Sequence, residues 1–197
     1  MSTIEVNTIK PISGSSTITL GESGDTIALA SGASQTLAAN TPCFEAYLSS
    51  DQTGIAHETN VKVNFNAEHF DPQGVYNTTT YRFTPGVAGK YYLYASVLVT
   101  ATNTNDSYSL RRAGATLYKN GAETSAPGLY YLLSGNSRGN NPDAEFNTIQ
   151  VQIHGIVESD TDDYFEIYGY GGNDNGTTDR KFEAGYSVFG AYKLIGA

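Results

Sequence analysis

The chain has 197 residues, with 11 Lys+Arg against 20 Asp+Glu for a formal net charge of −9, 12% aromatic residues and 16% charged ones. No apolar stretch approaches the roughly 18 residues of a spanning helix, so membrane insertion is not expected. One Cys excludes an intrachain disulfide, and an acidic chain with few cations is a poor phosphate ligand, so nucleic acid is not an expected partner. The start of the chain lacks the basic end and apolar core of a secretory signal. The length suits one domain plus an appendage. Thr, Gly, Asn, Tyr and Val are plentiful and no long window has helical periodicity, which predicts an all-β protein.

Residues 1–40 are nearly free of aromatics and carry a short repeat. Thr8-Ile9, Thr17-Ile18 and Thr26-Ile27 recur every nine residues, with Thr36-Leu37 following at ten. A short strand every nine residues cannot bury its one apolar face alone and needs stacked copies. This predicts a β-prism or β-helical stalk shared between chains, with Ile9, Ile18, Leu20, Ile27 and Leu29 facing the common axis. A disordered low-complexity tail is the alternative.

Residues 41–197 predict a run of strands at 43–48, 61–65, 81–83, 90–100, 107–119, 128–133, 148–157, 164–170 and 185–195. Alternation is clear in Ile149-Gln150-Val151-Gln152-Ile153. Antiparallel strands with long Gly/Asn loops predict a sandwich or jelly roll.

Little chemistry is visible, and no catalytic or metal-ligating residue is assigned. Gly135-Asn136-Ser137-Arg138-Gly139 has nucleophile-elbow spacing, but Pro142 follows where that motif needs a helix, so it is read as a loop. His57, His69 and His154 are far apart. Asp160, Asp162 and Asp163 cluster in one turn, and Asp174, Asn175 and Asp179 in another. Ca²⁺ is the one cofactor such loops suggest, although solvated turns fit the order better. Tyr91, Tyr92 and Tyr94 read as core and subunit interface, and Cys43 as a small apolar residue.

Strand parity sorts the loops. If the chain enters the sandwich at its base, the strands beginning near Cys43, Lys90, Gly128 and Tyr164 all run outward. Their exits, at 101–107, 134–147 and 171–183, then share the far end. Variable polar loops on a rigid sandwich are where binding lives. The candidate receptor-facing residues are Asn103, Asn105, Asp106, Asn136, Arg138, Asn140, Asn173, Asp174, Asn175 and Arg180.

The spacing Phe65-x5-Asp71-x4-Tyr76-x6-Phe83-x5-Gly89-x-Tyr91 resembles the signature of the complement first-component q head, a branch of the tumour-necrosis-factor-like jelly rolls. Leu93 and Ala95 stand where that signature has two further aromatics. Ser187-Val188-Phe189-Gly190-Ala191-Tyr192 resembles the family's aromatic-Gly last strand. The resemblance covers about residues 41–197. It implies a core on Phe65, Tyr76, Phe83, Gly89, Tyr91 and Phe189, and a homotrimer about a threefold axis. The run TITLGESGDTIALASGAS is similar to repeats in fibre proteins of tailed phages, particularly those of marine bacteria. Together the two resemblances imply a virion protein made in the bacterial host cytoplasm. In this reading residues 1–40 attach to other virion proteins, and residues 41–197 form a trimeric tail-fibre or spike head that contacts a host-surface glycan or protein. No reaction is expected, because the paired carboxylates of a depolymerase are absent. A capsid-decorating protein is the alternative.

Overall fold

The computed structural model describes Ile9, Ser31 and residues 41–102, 110–124, 128–134, 147–173 and 176–194. The chain divides into two units, Met1–Thr36 and Leu37–Ala197. In the first, Ile9 is 58% exposed in the single chain, while the other stalk positions, Ile18, Leu20, Ile27 and Leu29, lie outside the described residues.

The second unit is an antiparallel sandwich with no helix among the described residues. Its strands are β1 (Cys43–Tyr47), β2 (Gln52–Thr53), β3 (Val61–Lys62), β4 (Ala67–Phe70), β5 (Tyr76–Asn77), β6 (Arg82–Phe83) and β7 (Gly89–Ala101). There follow β8 (Leu110–Lys119), β9 (Ala122–Glu123), β10 (Tyr130–Ser134), β11 (Thr148–Ser159), β12 (Phe165–Asn173), β13 (Arg180–Phe182) and β14 (Val188–Lys193). One sheet has the order β2-β13-β7-β14-β1-β4, with β11 on the other edge of β7. The second has the order β10-β8-β12-β6-β5, with β3 on β12 and β9 on β8.

Period-2 patterning explains the long strands. In β7, Tyr91, Leu93, Ala95, Val97 and Val99 are buried between the sheets. Tyr92, Tyr94 and Ser96 therefore point to the opposite face. In β11 the buried Val151 and Ile153 alternate with exposed Gln150, Gln152 and His154. Gly89 opens β7 at φ 148°, a conformation that L side chains rarely adopt.

Aromatic rings join the two sheets at one end. Phe44 of β1 stacks on Tyr76 (centroids 4.7 Å, 8° between planes) and on Phe83 (4.7 Å), and meets Phe189 edge-on at 5.0 Å. Phe83 in turn contacts Tyr91 at 5.7 Å and Phe165 at 6.0 Å. The buried hydroxyls are satisfied: Tyr76 donates to Phe65 O at 3.0 Å and Tyr91 to Val87 O at 2.6 Å. Burial pushes the Tyr91 phenol up to about 12. Asp71 holds the preceding turn, accepting from the backbone of Val75 and Tyr76 at 3.0 and 2.8 Å. Leu93 and Ala95, at the two positions where the signature has aromatics, face inward, 1% and 3% exposed.

Removing the central ring tests this core. Phe83→Ala is expected to cost about 3–5 kcal/mol, the cavity-creating loss of a buried Phe. Phe70→Ala, at a ring that is 47% exposed, should cost under about 1 kcal/mol. Urea unfolding of the two variants measures the difference.

Candidate functional site

The strand ends that bound the three polar loops meet at one end of the sandwich. Thr148 pairs with Thr100 and Arg180 with Ala101 in the first sheet, and Asn173 with Leu110 and Ser134 with Arg112 in the second. Ala101 N donates to Asn147 O at 2.8 Å and Thr102 N to Asp179 O at 3.0 Å. The chain enters the unit at the opposite end, where Cys43 pairs with Tyr192, Tyr192 with Tyr92, and Lys193 N donates to Pro42 O at 3.1 Å. Of the candidate tip residues, Asn103, Asn105, Asp106, Asn136, Arg138, Asn140, Asp174 and Asn175 lie outside the described residues, as does the Gly135–Gly139 elbow spacing.

Arg180 and Asn173 do not present their side chains to the outside. Arg180 is fully buried and Asn173 is 5% exposed. The Arg180 side chain lies over Gly171, where a Cβ would come within 2.9 Å of its Cδ. Its Nη2 donates to Ile55 O at 3.1 Å and to Thr177 O. Burial lowers its pKa, with Asp179 and Glu58 pulling the other way. Arg180 is thus a strut under the tip. A cation flanked by loop residues reads as a surface anchor in sequence, but β13 pairs it with Ala101 and turns it inward.

The Asp turn lies toward the entry end. Asp160 and Asp162 are exposed, while Asp163 is buried. Its carboxylate accepts from Lys119 Nζ at 2.7 Å, Asn120 Nδ2 at 2.6 Å and Asp160 N at 2.7 Å. Burial works against the charge, but Lys119 and these amides outweigh it and hold the group below the usual carboxylate range. Oxygens already committed to an ammonium do not fit a Ca²⁺ site. Among the described residues no group of three or more His, Cys, Asp or Glu could hold a metal.

The remaining surfaces are the outer faces of the two sheets, and both are rich in tyrosine. On the first, Tyr92 is 5.4 Å from Tyr192, 6.4 Å from Tyr94 and 6.2 Å from His154, ring to ring. Tyr192 is 46% exposed and Ile156, across from Tyr92, is 57% exposed. Gly190 makes this arrangement possible, since a Cβ there would stand 2.3 Å from the Tyr94 ring. Tyr94 donates to Glu45 Oε2 at 2.5 Å, and His69 Nδ1 bonds Glu45 Oε1 at 2.7 Å. The His69 ring stacks on Tyr47 at 4.3 Å. Burial, then Glu45, raises the Tyr94 pKa; burial opposes the charge of Glu45, but His69 and Tyr94 bring it down. Tyr92, Tyr94, Gln152 and His154 line a depression of about 330 Å³.

On the second sheet, Tyr118 and Tyr168 stack at 3.9 Å and Asn60 Nδ2 donates to Tyr118 Oη at 3.2 Å. The buried Glu166 carboxylate is bound by Lys62 and by Arg82 Nε at 2.8 Å. The Arg82 guanidinium also lies 4.1 Å above the Tyr164 ring. Beside them is a cleft of about 220 Å³ between β8, β10 and β12. The first tyrosine face is legible in the sequence, because Tyr and His occupy the outward positions of β7 and β11 where Lys or Glu would normally stand. The second is harder to see, since it gathers residues from five separate strands.

No protein-family model matches the chain, and no curated protein matches it in sequence. Solved structures do match in fold. The globular domain of zebrafish complement 1qA superimposes with a TM-score of 0.51 at 14% identity, over 78% of this chain and 98% of that one. Eiger TNF from S. frugiperda gives 0.55 at 12% identity, over 80% and 94%. Murine APRIL gives 0.52 at 10% identity, over 79% and 100%. The fold is a complement 1q/TNF-like jelly roll. The jelly-roll head carried no chemistry-bearing motif in its sequence, and these neighbours share its architecture at identities too low to carry more than the fold.

The Asp163 network has a pH signature. Its folded pKa is depressed, so its stabilisation is present above the unfolded value of 3.8 and is lost as pH falls below it. Asp163→Asn should cost about 1–3 kcal/mol at pH 7, the loss of charge-assisted bonds in a buried site. The gap to the parent chain should narrow as pH falls below about 3.8, measured by urea titration across pH 3–7.

Proposed function

We propose that this chain is a non-enzymatic virion protein: a homotrimeric jelly-roll head, joined to the particle by residues 1–40, that contacts the host cell surface as part of a tail fibre or spike. The observation that carries the trimer is the outer face of the first sheet. Tyr92, Tyr94 and Tyr192 cluster there with the exposed Ile156 beside them. A contiguous aromatic face of this kind marks an interaction surface on a single chain. A partner copy against it would bury the rings while leaving the phenols hydrogen-bonded, as Tyr94 already is to Glu45. The family resemblance carried by Phe65 through Tyr91 implies a threefold homotrimer, which fits this packing. The virion assignment rests on the Thr-Ile repeat of residues 1–40 and its likeness to phage fibres. The tip segments, opposite the entry of the chain at Cys43, face the host.

Sedimentation of the full chain should give a single species of three times the chain mass. Ile156→Asp and Tyr92→Asp each place a charge in the interface and should shift it to monomer while leaving the β spectrum by circular dichroism unchanged. A stable monomer of the parent chain would overturn the trimer.

Immunogold labelling of intact particles tests the virion role. Label at the tail tip is expected. Label spread over the capsid lattice would instead make the chain a decorating protein, and unlabelled particles would remove it from the virion.

A further inference from the structure

The cleft on the second sheet shares no lining residue with the depression on the tyrosine face, and its lining is mixed in kind. Part of its lining is apolar and aromatic, with Tyr130 and Leu132 from β10 on one side of β8 and Tyr170 from β12 on the other. The polar part is Asn60, Thr116 and Glu123. Tyr130 and Leu132 sit on β10, the edge strand of its sheet, and are 51% and 39% exposed. Edge strands are ordinarily blunted by charge or Pro; the described part of β10, YYLLS, has neither.

Charge narrows the ligand. Among the described residues no Lys or Arg lines the cleft, and Lys62, Arg82 and Arg112 of the same face are engaged. Lys62 and Arg82 are held by Glu166, and Arg112 by Glu58 at 2.8 Å. Among the described lining residues the acidic side chain is the exposed Glu123, which accepts from Thr116 Oγ1 at 3.4 Å and keeps further acceptor capacity. Asn60 donates one amide hydrogen to Tyr118 Oη and carries a second. An anion would meet an uncompensated carboxylate here. A purely apolar ligand would leave the remaining hydrogen-bonding capacity of Glu123 and Asn60 unused. Pockets for drug-sized ligands run about 300–1,000 Å³, so a cleft of about 220 Å³ takes a smaller unit.

We propose that this cleft binds one neutral sugar ring of a host-surface glycan. The apolar C–H face of the ring packs on Tyr130 and Tyr170, and its hydroxyls donate to Glu123 and accept from Asn60. This inference rests on the recognition role proposed above and names its ligand class. It places the sugar on the side of the head, where each copy of the chain carries its own site.

The test uses the full chain in its assembled state. Methyl glycosides of glucose, galactose, mannose and N-acetylglucosamine are titrated by NMR and calorimetry, followed by an array carrying neutral, sialylated and sulfated glycans. At least one neutral glycoside should bind, and Tyr130→Ala and Glu123→Gln should each weaken it about tenfold or more, as expected for losing a ring contact or a charge-assisted hydrogen bond. Arg112→Ala, outside the cleft, should bind as the parent does. Sedimentation of each variant shows that assembly is unchanged. No binding to any neutral sugar, binding to acidic glycans alone, or binding indifferent to Tyr130 and Glu123 would overturn the proposal. Dissociation of the assembly by Tyr130→Ala would give β10 to the subunit interface and overturn it equally. Adsorption of the parent head to host cells separates the two levels. A head that adsorbs undiminished with Tyr130→Ala leaves the recognition role standing and removes the cleft, whereas a parent head that never adsorbs removes the role itself.

Discussion

The ring of Phe44 lies between those of Tyr76 and Phe83 with Phe189 against its edge, and the rest of the sandwich is hung from that cluster. Phe44 and Phe189 belong to the first sheet, and Tyr76 and Phe83 to the second. Stacked and edge-on contacts restrict how the two sheets can slide or rotate. The cluster also fixes register. Shifting β14 by one residue would turn Phe189 outward and Gly190 inward, emptying the core and removing the small residue over which Tyr94 lies.

The far end of the sandwich is built differently. Ala101, Ala113, Val99 and Leu110 are small or medium side chains, and the space beside them is filled by Phe182 against Gly169 and Arg180 against Gly171. A guanidinium held by two backbone carbonyls is an expensive filler, because burying a charge without a carboxylate partner costs desolvation. Its planar, multi-donor head does link Ile55 of one segment to Thr177 of another, which an aliphatic side chain could not do. The strand ends that bound the tip segments are thus braced.

Much of this core is legible in the sequence because it uses large rings at fixed spacings, and Phe65, Tyr76, Phe83, Tyr91 and Phe189 are all buried. Leu93 and Ala95 depart from the aromatic pattern for a local reason. Register places Phe189 beside Ala95, whose small side chain leaves the ring room, and Ala191 beside Leu93. The short strands β2, β4, β5, β9 and β13 are not legible. Two to four residues carry no readable alternation, and their pairing is decided by neighbours distant in sequence, as when β13 joins β2 to β7. The same long-range pairing hides Arg180. Nothing local distinguishes an arginine that turns into the core from one that faces solvent.

Both outer faces use tyrosine where a solvated sheet would use Lys or Glu, but they are composed differently. The first gathers Tyr92, Tyr94 and Tyr192 around Gly190, a broad surface suited to another broad surface. The second sets single rings beside an amide, a hydroxyl and a carboxylate in a shallow cleft, which suits a small amphipathic ligand. A cleft of that size makes few contacts, so one site binds weakly. In the proposed trimer the weakness has a remedy, because three sites on one rigid head raise avidity by roughly 10²–10⁴ when receptors are dense. Assembly through one sheet and recognition through the other are therefore linked without sharing residues. Under these proposals the tyrosine face must stay fixed, while the cleft residues Tyr130, Asn60 and Glu123 can vary with the sugar.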